Sequence, residues 1–219
     1  MFSAASLSEL LFPTRCLGCR QLGIRICSQC RSFWHPHIYR STITVGARAL
    51  PVYSSVIYSS VAQKVLLGSK ESALIDADQL IRLALSHALS YFNGEIGMAD
   101  VVPVPSRKSA IRKRGRDFLL AHTEYLAEAS GVQLRPVLIH RRKVADQTRL
   151  NAVEREANLT GAFTCANRGR IGNIPVIIID DLMTSGATLR EAARALFDGG
   201  YRPLGAVTAC VAQPLRYTQ

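Results

Sequence analysis

The sequence predicts an α/β fold built on a mainly parallel sheet, with a small N-terminal cysteine knuckle ahead of it. Three observations carry the prediction. From about residue 46 short apolar runs alternate with helix-patterned stretches, the order expected of strand–helix–strand units. Four of the six cysteines crowd between positions 16 and 30 as two Cys-x-x-Cys pairs. A β-branched run, Val176–Ile179, meets two carboxylates and a small hydroxyl-rich turn that leads into a helix. The expected division is 1–45 for the cysteine segment and 46–219 for the α/β domain. With 48% hydrophobic and 20% charged residues over 219 positions, a packed core is within reach, and extended disorder, collagen and coiled coil are excluded for most of the chain.

The cysteine segment comes first. Cys16-Leu-Gly-Cys19 and Cys27-Ser-Gln-Cys30 can each turn two sulfurs onto one ion, completing the tetrahedral four-thiolate shell that Zn2+ accepts at ~2.3 Å. The seven residues between the pairs are fewer than the ~15–20 of a standard ribbon, so the knuckle is compact. Disulfides and an iron–sulfur cluster are the rival readings, the former weakened because cytosolic disulfides are uncommon. A closed four-thiolate shell has no open position for water, so the expected ion is structural. Trp34-His35-Pro36-His37 reads as a packed turn rather than a ligand pair, and Cys165 and Cys210 as core or near-surface fillers.

Beyond the knuckle, Gln79 to Tyr91 carries Leu80, Leu83, Ala84, Leu85 and Leu89 at helical spacing, stopping near Asn93-Gly94. Ala99 to Val104 reads as a buried strand, Leu119 to Ala129 as a helix stopped by Gly131, and Val132 to Ile139 as a strand containing Pro136. Ile174 to Ile179 is the clearest strand. Leu189 to Phe197 repeats apolar residues at helical spacing and ends at Gly199-Gly200, where a left-handed cap is expected.

The junction of that strand and helix is where chemistry is expected. Asp180 and Asp181 stand at the C-terminal end of a parallel strand, the ligand-binding end of such sheets. Thr184, Ser185, Gly186, Ala187 and Thr188 can aim backbone N–H groups and hydroxyls at a phosphate, and the next helix adds its positive end. Carboxylates repel a phosphate, so the acidic pair must face something else: a diol donating two hydrogen bonds, or a metal ion. A ribose 5-phosphate meets both demands. Lys+Arg 27 against Asp+Glu 16, a formal charge of +11, favours phosphorylated ligands or nucleic acid. No apolar run is long enough for a membrane helix, and Leu7, Leu10, Leu11 and Phe12 lack the basic lead of a signal peptide, so the expected location is the cytoplasm.

The stretch Val176-Ile-Ile-Ile-Asp-Asp-Leu-Met-Thr-Ser-Gly-Ala-Thr188 resembles the 5-phosphoribosyl 1-pyrophosphate (PRPP) signature of type I phosphoribosyltransferases. Val101-Val102-Pro103-Val104-Pro105 leads into Ser106, Arg107 and Lys108 and then Arg112, Lys113, Arg114, Gly115 and Arg116, where that family places its pyrophosphate-binding loop. Together with the cysteine pairs and the segment from Gln147 through Leu150, Arg155 and Asn158 to Gly161-Ala162-Phe163, these motifs follow the order of the ComF family of competence-associated proteins. The resemblance spans nearly the whole chain. One departure is Arg116-Asp117-Phe118, where the family often has an aromatic residue followed by Asn-Gln after Arg-Gly.

What the resemblance implies is a type I phosphoribosyltransferase-like domain, Rossmann-like, behind a four-cysteine zinc-binding knuckle or ribbon of Cys16, Cys19, Cys27 and Cys30. Asp180 and Asp181 would be the catalytic acids holding the ribose hydroxyls. Thr184–Thr188 would hold the 5-phosphate, and Ser106, Arg107 and Lys108 the pyrophosphate with Mg2+. Arg142, Gln147, Arg155 and Asn158 would belong to a hood or flexible loop that closes on PRPP. The acceptor is not indicated, and transfer itself is open: relatives of type I include binding proteins and regulators. An acidic general base stands at the position of Thr184 in 6-oxopurine transferases, so an oxopurine acceptor is disfavoured. The resemblance also implies single-stranded DNA and the DNA-uptake machinery as partners, with Phe33, Trp34 and Tyr39 as stacking candidates. Type I transferases are often dimers.

Overall fold

The computed structural model describes residues 13–141, 159–166 and 172–212. Its centre is a five-stranded sheet in the order β1-β2-β7-β6-β3, formed by β1 (Tyr39–Val45), β2 (Arg48–Ile57), β3 (Asp100–Pro103), β6 (Pro175–Met183) and β7 (Arg202–Val211). All neighbours are parallel except the β1–β2 hairpin. The inner strand β6 is an unbroken apolar run, with Val176, Ile177, Ile178 and Ile179 all fully buried, because helices cover the sheet. Helix α3 (Ile75–Glu95) packs on β2 and β7, α5 (Phe118–Ser130) on β3 and β6, and α6 (Ala187–Asp198) on β6, β7 and β1. The predicted α/β class with a mainly parallel sheet is the observed one.

Several expected elements are present with changed bounds. The helix expected over Gln79–Tyr91 runs from Ile75 through Gly94 to Glu95. Its last turn is held by Glu95, which accepts from Tyr53 Oη at 2.5 Å and pairs with Arg40, and these tertiary contacts override the Asn-Gly stop. The strand expected over Val132–Ile139 is split. Leu134 makes one parallel bridge to Val101, and then β4 (Leu138–His140) pairs antiparallel with β5 (Phe163–Cys165) as a separate ribbon. Pro136 has no N–H to continue the ladder. The clearest predicted strand extends past Ile179 through both acids to Met183.

The cysteine segment packs onto α2 (Ser60–Ser72), which is capped by Ser59 accepting from the Ala62 N–H at 3.1 Å. Lys64 Nζ donates to the Gly18 carbonyl at 2.6 Å, and Arg25 pairs with Asp76 of α3 at 3.1 Å. Cys16, Ile26 and Trp34 belong to the same continuous core as the sheet. The short helices α1 (Ser28–Arg31) and α4 (Lys108–Arg114) complete the described elements. No helix among the described residues is long and apolar enough to cross a membrane.

One buried polar cluster joins α2, α3 and α5. Asp78 accepts two bonds from the Arg116 fork, at 2.7 and 2.9 Å, and one from the Ser69 hydroxyl. Burial raises the Asp78 pKa, but the Arg116 bonds outweigh it and hold it below the carboxylate range. His122, wholly buried with Nε2 3.3 Å from Ser69 Oγ, is pushed down to about 4, first by burial and then against the pull of Asp78.

This packing has two measurable consequences for stability. A methyl group on Gly205 of β7 would fall 2.7 Å from Phe92 Cε2 and against the Pro51 carbonyl, neither of which can retreat. Gly205→Ala should therefore cost about 3 kcal/mol in urea denaturation. The second concerns acid. His122 takes up its proton in the unfolded chain near its ordinary 6.5 but in the fold only near about 4, so its contribution is complete above 6.5 and declines as the pH falls through that window. The stability of wild type relative to His122→Gln should fall by about 2 kcal/mol between pH 7 and pH 5. Parallel pH profiles of the two proteins would refute the assignment.

Candidate functional site

The hydrogen bonding of β6 leaves its end open on one side. Pairing with β3 finishes at Pro103 and Ile179, whereas pairing with β7 continues through Asp180–Thr208 and Leu182–Cys210. The acidic pair thus sits where a strand still has structure but has lost one neighbour. Both acids are nearly covered, at 7% and 8% exposure. Asp180 Oδ1 accepts the backbone N–H of Asp181 at 2.9 Å. Asp181 Oδ2 lies 2.5 Å from Lys70 Nζ, on the last turn of α2.

Two adjacent buried carboxylates do not share one charge state. Burial and the negative Asp181 beside it push Asp180 well above the carboxylate range. Burial also acts on Asp181, but the Lys70 ammonium outweighs it and holds Asp181 below that range. The same attraction outweighs the desolvation of Lys70 and keeps it charged. The pair is therefore asymmetric, with Asp180 the weaker acid, and the ring of Phe118, 5.4 Å from Nζ, flanks the ammonium.

The turn after β6 has the shape of an anion cradle. Gly186 has φ +76, ψ +4, and a Cβ there would stand 2.9 Å from Ile43 Cγ2, so glycine is required both by conformation and by space. Helix α6 begins at Ala187 with no side-chain cap, leaving the N–H groups of its first turn directed at the loop. Ser185 Oγ is buried with no hydrogen-bond partner among the described residues. The carbonyl of Ser185 accepts from Arg190 Nη1 at 2.9 Å, which ties the turn to its own helix. Thr184 and Thr188 stand at either end, both half-buried.

The basic loop divides into two parts. Its downstream half is spent on structure: Arg114 and Lys113 pair with Glu71 at 2.7 and 3.6 Å, and Arg116 joins Asp78. Arg107, Lys108 and Arg112 line a cavity of about 800 Å3, whose far wall is Pro136 and Leu138–Arg141. Ser106 lines it too, but its hydroxyl already donates to Asp117 Oδ1 at 2.6 Å, and Asp117 caps α5. His140 Nε2 lies 3.0 Å from the Pro105 carbonyl, closing the base of the loop. The Arg116-Asp117-Phe118 departure thus has a structural use at every position: ion pair, helix cap, and ring beside Lys70.

The four cysteines converge. Sγ atoms of Cys16, Cys19, Cys27 and Cys30 all lie within 4.8 Å of one another. The Cys19–Cys27 separation is 3.7 Å, against ~3.8 Å for the edge of a tetrahedron with ~2.3 Å Zn–S bonds. Backbone N–H groups of Cys27 and Cys30 point at the Cys16 and Cys27 sulfurs, each at 3.4 Å. Burial raises the Cys16 thiol, but such N–H groups outweigh it and bring it to about 6, while burial and the neighbouring sulfurs drive Cys30 up to about 12. Thiols this close cannot all ionise unless a cation joins them, and that is the donor set a four-thiolate metal uses. His35 and His37 lie outside the cluster on exposed chain, whereas Trp34 is buried. Cys165 and Cys210 are buried and do not belong to the cluster.

The structure therefore brings Asp180, Asp181 and the 184–188 turn together, and the cysteines together at another place. Arg142, Gln147, Arg155 and Asn158 lie outside the described residues. Lys70 is the site residue that sequence reading passes over. Its only signal is a lysine one position beyond Ser69, the last buried residue of α2, and its partner is far away in sequence.

No protein-family model and no curated protein sequence matches the chain. Among solved structures it is similar to an adenine phosphoribosyltransferase at 14% identity, covering 84% of this chain and 89% of that one, with a TM-score of 0.45. It is similar to the Saccharomyces cerevisiae adenine phosphoribosyltransferase complexed with an imino-altritol bisphosphate and adenine, at 15% identity, 85% and 89% coverage and a TM-score of 0.43. It is also similar to the Leishmania tarentolae adenine phosphoribosyltransferase, at 12% identity, 80% and 100% coverage and a TM-score of 0.40. These are distant overlaps, and the chemistry of the present site has to come from its own residues.

Proposed function

We propose that the chain is a PRPP-binding protein of the ComF kind with a type I phosphoribosyltransferase-like site, transferring the phosphoribosyl group to an acceptor. The observation that carries this reading is the pairing of an uncapped helix start, with its buried Ser185 hydroxyl, and a buried acidic pair with Lys70 on one member, on the preceding strand. A 5-phosphate fits the first, since α6 offers it N–H groups and a positive dipole end. A vicinal diol fits the second, because its two hydroxyls can each donate to a carboxyl oxygen of the pair.

In transfer, the anomeric C–O bond to pyrophosphate breaks and positive charge develops on the ribose. Asp181, close to that charge, stabilises it, and its field is moderated by Lys70. Arg107 and Lys108, which line the cavity after β3, would take the departing pyrophosphate. Mg2+ bound to the pyrophosphate would supply further neutralisation of its charge. Thr184 supplies no base near neutral pH, so an acceptor that must lose a proton needs its base from elsewhere. Single-stranded DNA has less in its favour here, since Trp34 is core and Phe33 is the exposed aromatic of the expected trio.

At the knuckle, Cys16, Cys19, Cys27 and Cys30 hold a structural Zn2+. Its work is to brace the segment against α2: a Cβ on Gly18 would stand 2.5 Å from Cys30 Sγ and 3.3 Å from Val61 Cγ2.

Calorimetry tests the first reading. Wild type should bind Mg-PRPP, and the Asp180→Asn, Asp181→Asn double variant should bind about 100-fold more weakly while keeping a cooperative thermal transition. Equal affinity for both proteins would sink the assignment. For the knuckle, purified protein should carry one zinc per chain. Stripping it, or introducing Gly18→Ala, should lower the melting temperature by about 10 °C. A metal-free protein with an unchanged transition would remove zinc from the account.

A further inference from the structure

An acidic pair at a ligand-binding strand end ordinarily invites a divalent cation, but here a cation belonging to the chain is already in place. Lys70 Nζ contacts Asp181 Oδ2 at 2.5 Å, with both side chains largely covered, at 27% and 12% exposure. Its position is set from several directions. The backbone of Ser69 accepts from Arg116 Nη2 at 2.5 Å, the Ser69 hydroxyl donates to Asp78, and the Phe118 ring lies beside the ammonium. The residue therefore projects from a helix end that is tied down on both sides rather than from a mobile arm.

A divalent ion at the pair would have to displace this ammonium or share Asp181 with it. A sugar diol need not. Its two hydroxyls can donate to carboxyl oxygens of Asp181 and Asp180, and an ammonium has three N–H donors, so contact with Asp181 leaves capacity for a sugar oxygen. We propose that Lys70 is a positioning residue of the ribose site: it holds the cation place on Asp181, so the pair receives the vicinal hydroxyls of a ribose 5-phosphate with no divalent ion between them. This rests on the PRPP reading above and adds to it one residue, Lys70.

The experiment titrates the full-length protein with three probes: ribose 5-phosphate, 2-deoxyribose 5-phosphate and inorganic phosphate. Each is run in Mg2+-free and Mg2+-containing buffer, without chelator so that the cysteine site is undisturbed. The proteins are wild type, Lys70→Met and Lys70→Arg. Wild type should prefer ribose 5-phosphate over the deoxy sugar by about tenfold in both buffers, the difference expected for one hydrogen bond near a charged group. Lys70→Met should lose that preference and bind inorganic phosphate within about twofold of wild type, since the 184–188 turn is untouched. Lys70→Arg should keep part of the preference. A wild-type preference that appears only with Mg2+ overturns the proposal without any variant, even if Lys70→Met fails to fold. A preference that survives in Lys70→Met overturns it as well. Wild type that binds neither ribose 5-phosphate nor Mg-PRPP removes the underlying reading, an outcome distinct from either of these.

Discussion

Two carboxylates placed side by side and covered from water cannot both be charged without a partner, and the rest of the site is arranged around that constraint. At about 4 Å, two like charges in a medium of effective dielectric ~20 repel by ~4 kcal/mol, which pushes one of them toward its neutral form. Lys70 decides which one, by lying on Asp181 rather than Asp180. The outcome is an asymmetric pair, with Asp180 the weaker acid and Asp181 the stronger.

For Lys70 to do this, α2 must end at the right place, and its position is determined by contacts at both ends. Near its start Val61 and Lys64 meet the cysteine knuckle at Gly18. Near its end Ser69 joins Asp78 and Arg116, and Glu71 is gripped by Arg114. The cysteine cluster is thus connected through α2 to Lys70 and the acidic pair. A structural ion in the knuckle would act on the chemistry only through the placement of this helix. The arginines that look from sequence like ligands for pyrophosphate are in part the bolts of the same assembly.

The parts of the site legible in sequence are those whose partners are near in the chain. Val176–Met183, the Thr184–Thr188 turn and α6 form one continuous stretch, and Cys16–Cys30 another, so spacing alone places them. Lys70 was illegible because its meaning lies wholly in a partner on another element. The β1–β2 hairpin escaped for a different reason: β1 is an edge strand with one fully buried residue, Ile43, and so carries no apolar run. On β7 the small residues Gly205, Ala206 and Ala209 weaken the hydrophobic signal of a central strand, because the space above it is filled by Phe92 from α3. Pro136 is visible in the sequence, but that the chain would resume pairing with a different strand is not a local property.

The charge of the chain also means less than its sum suggests. A formal +11 would draw in any polyanion at long range. Much of the basic run after β3, however, is paired where it stands: Lys113 and Arg114 share Glu71 and Arg116 meets Asp78, while Lys70 is matched by Asp181. The cations lining the cavity beside that loop are Arg107, Lys108, Arg112 and Arg141. The excess charge that a ligand meets beside this loop is therefore smaller than the run of basic residues in the sequence suggests.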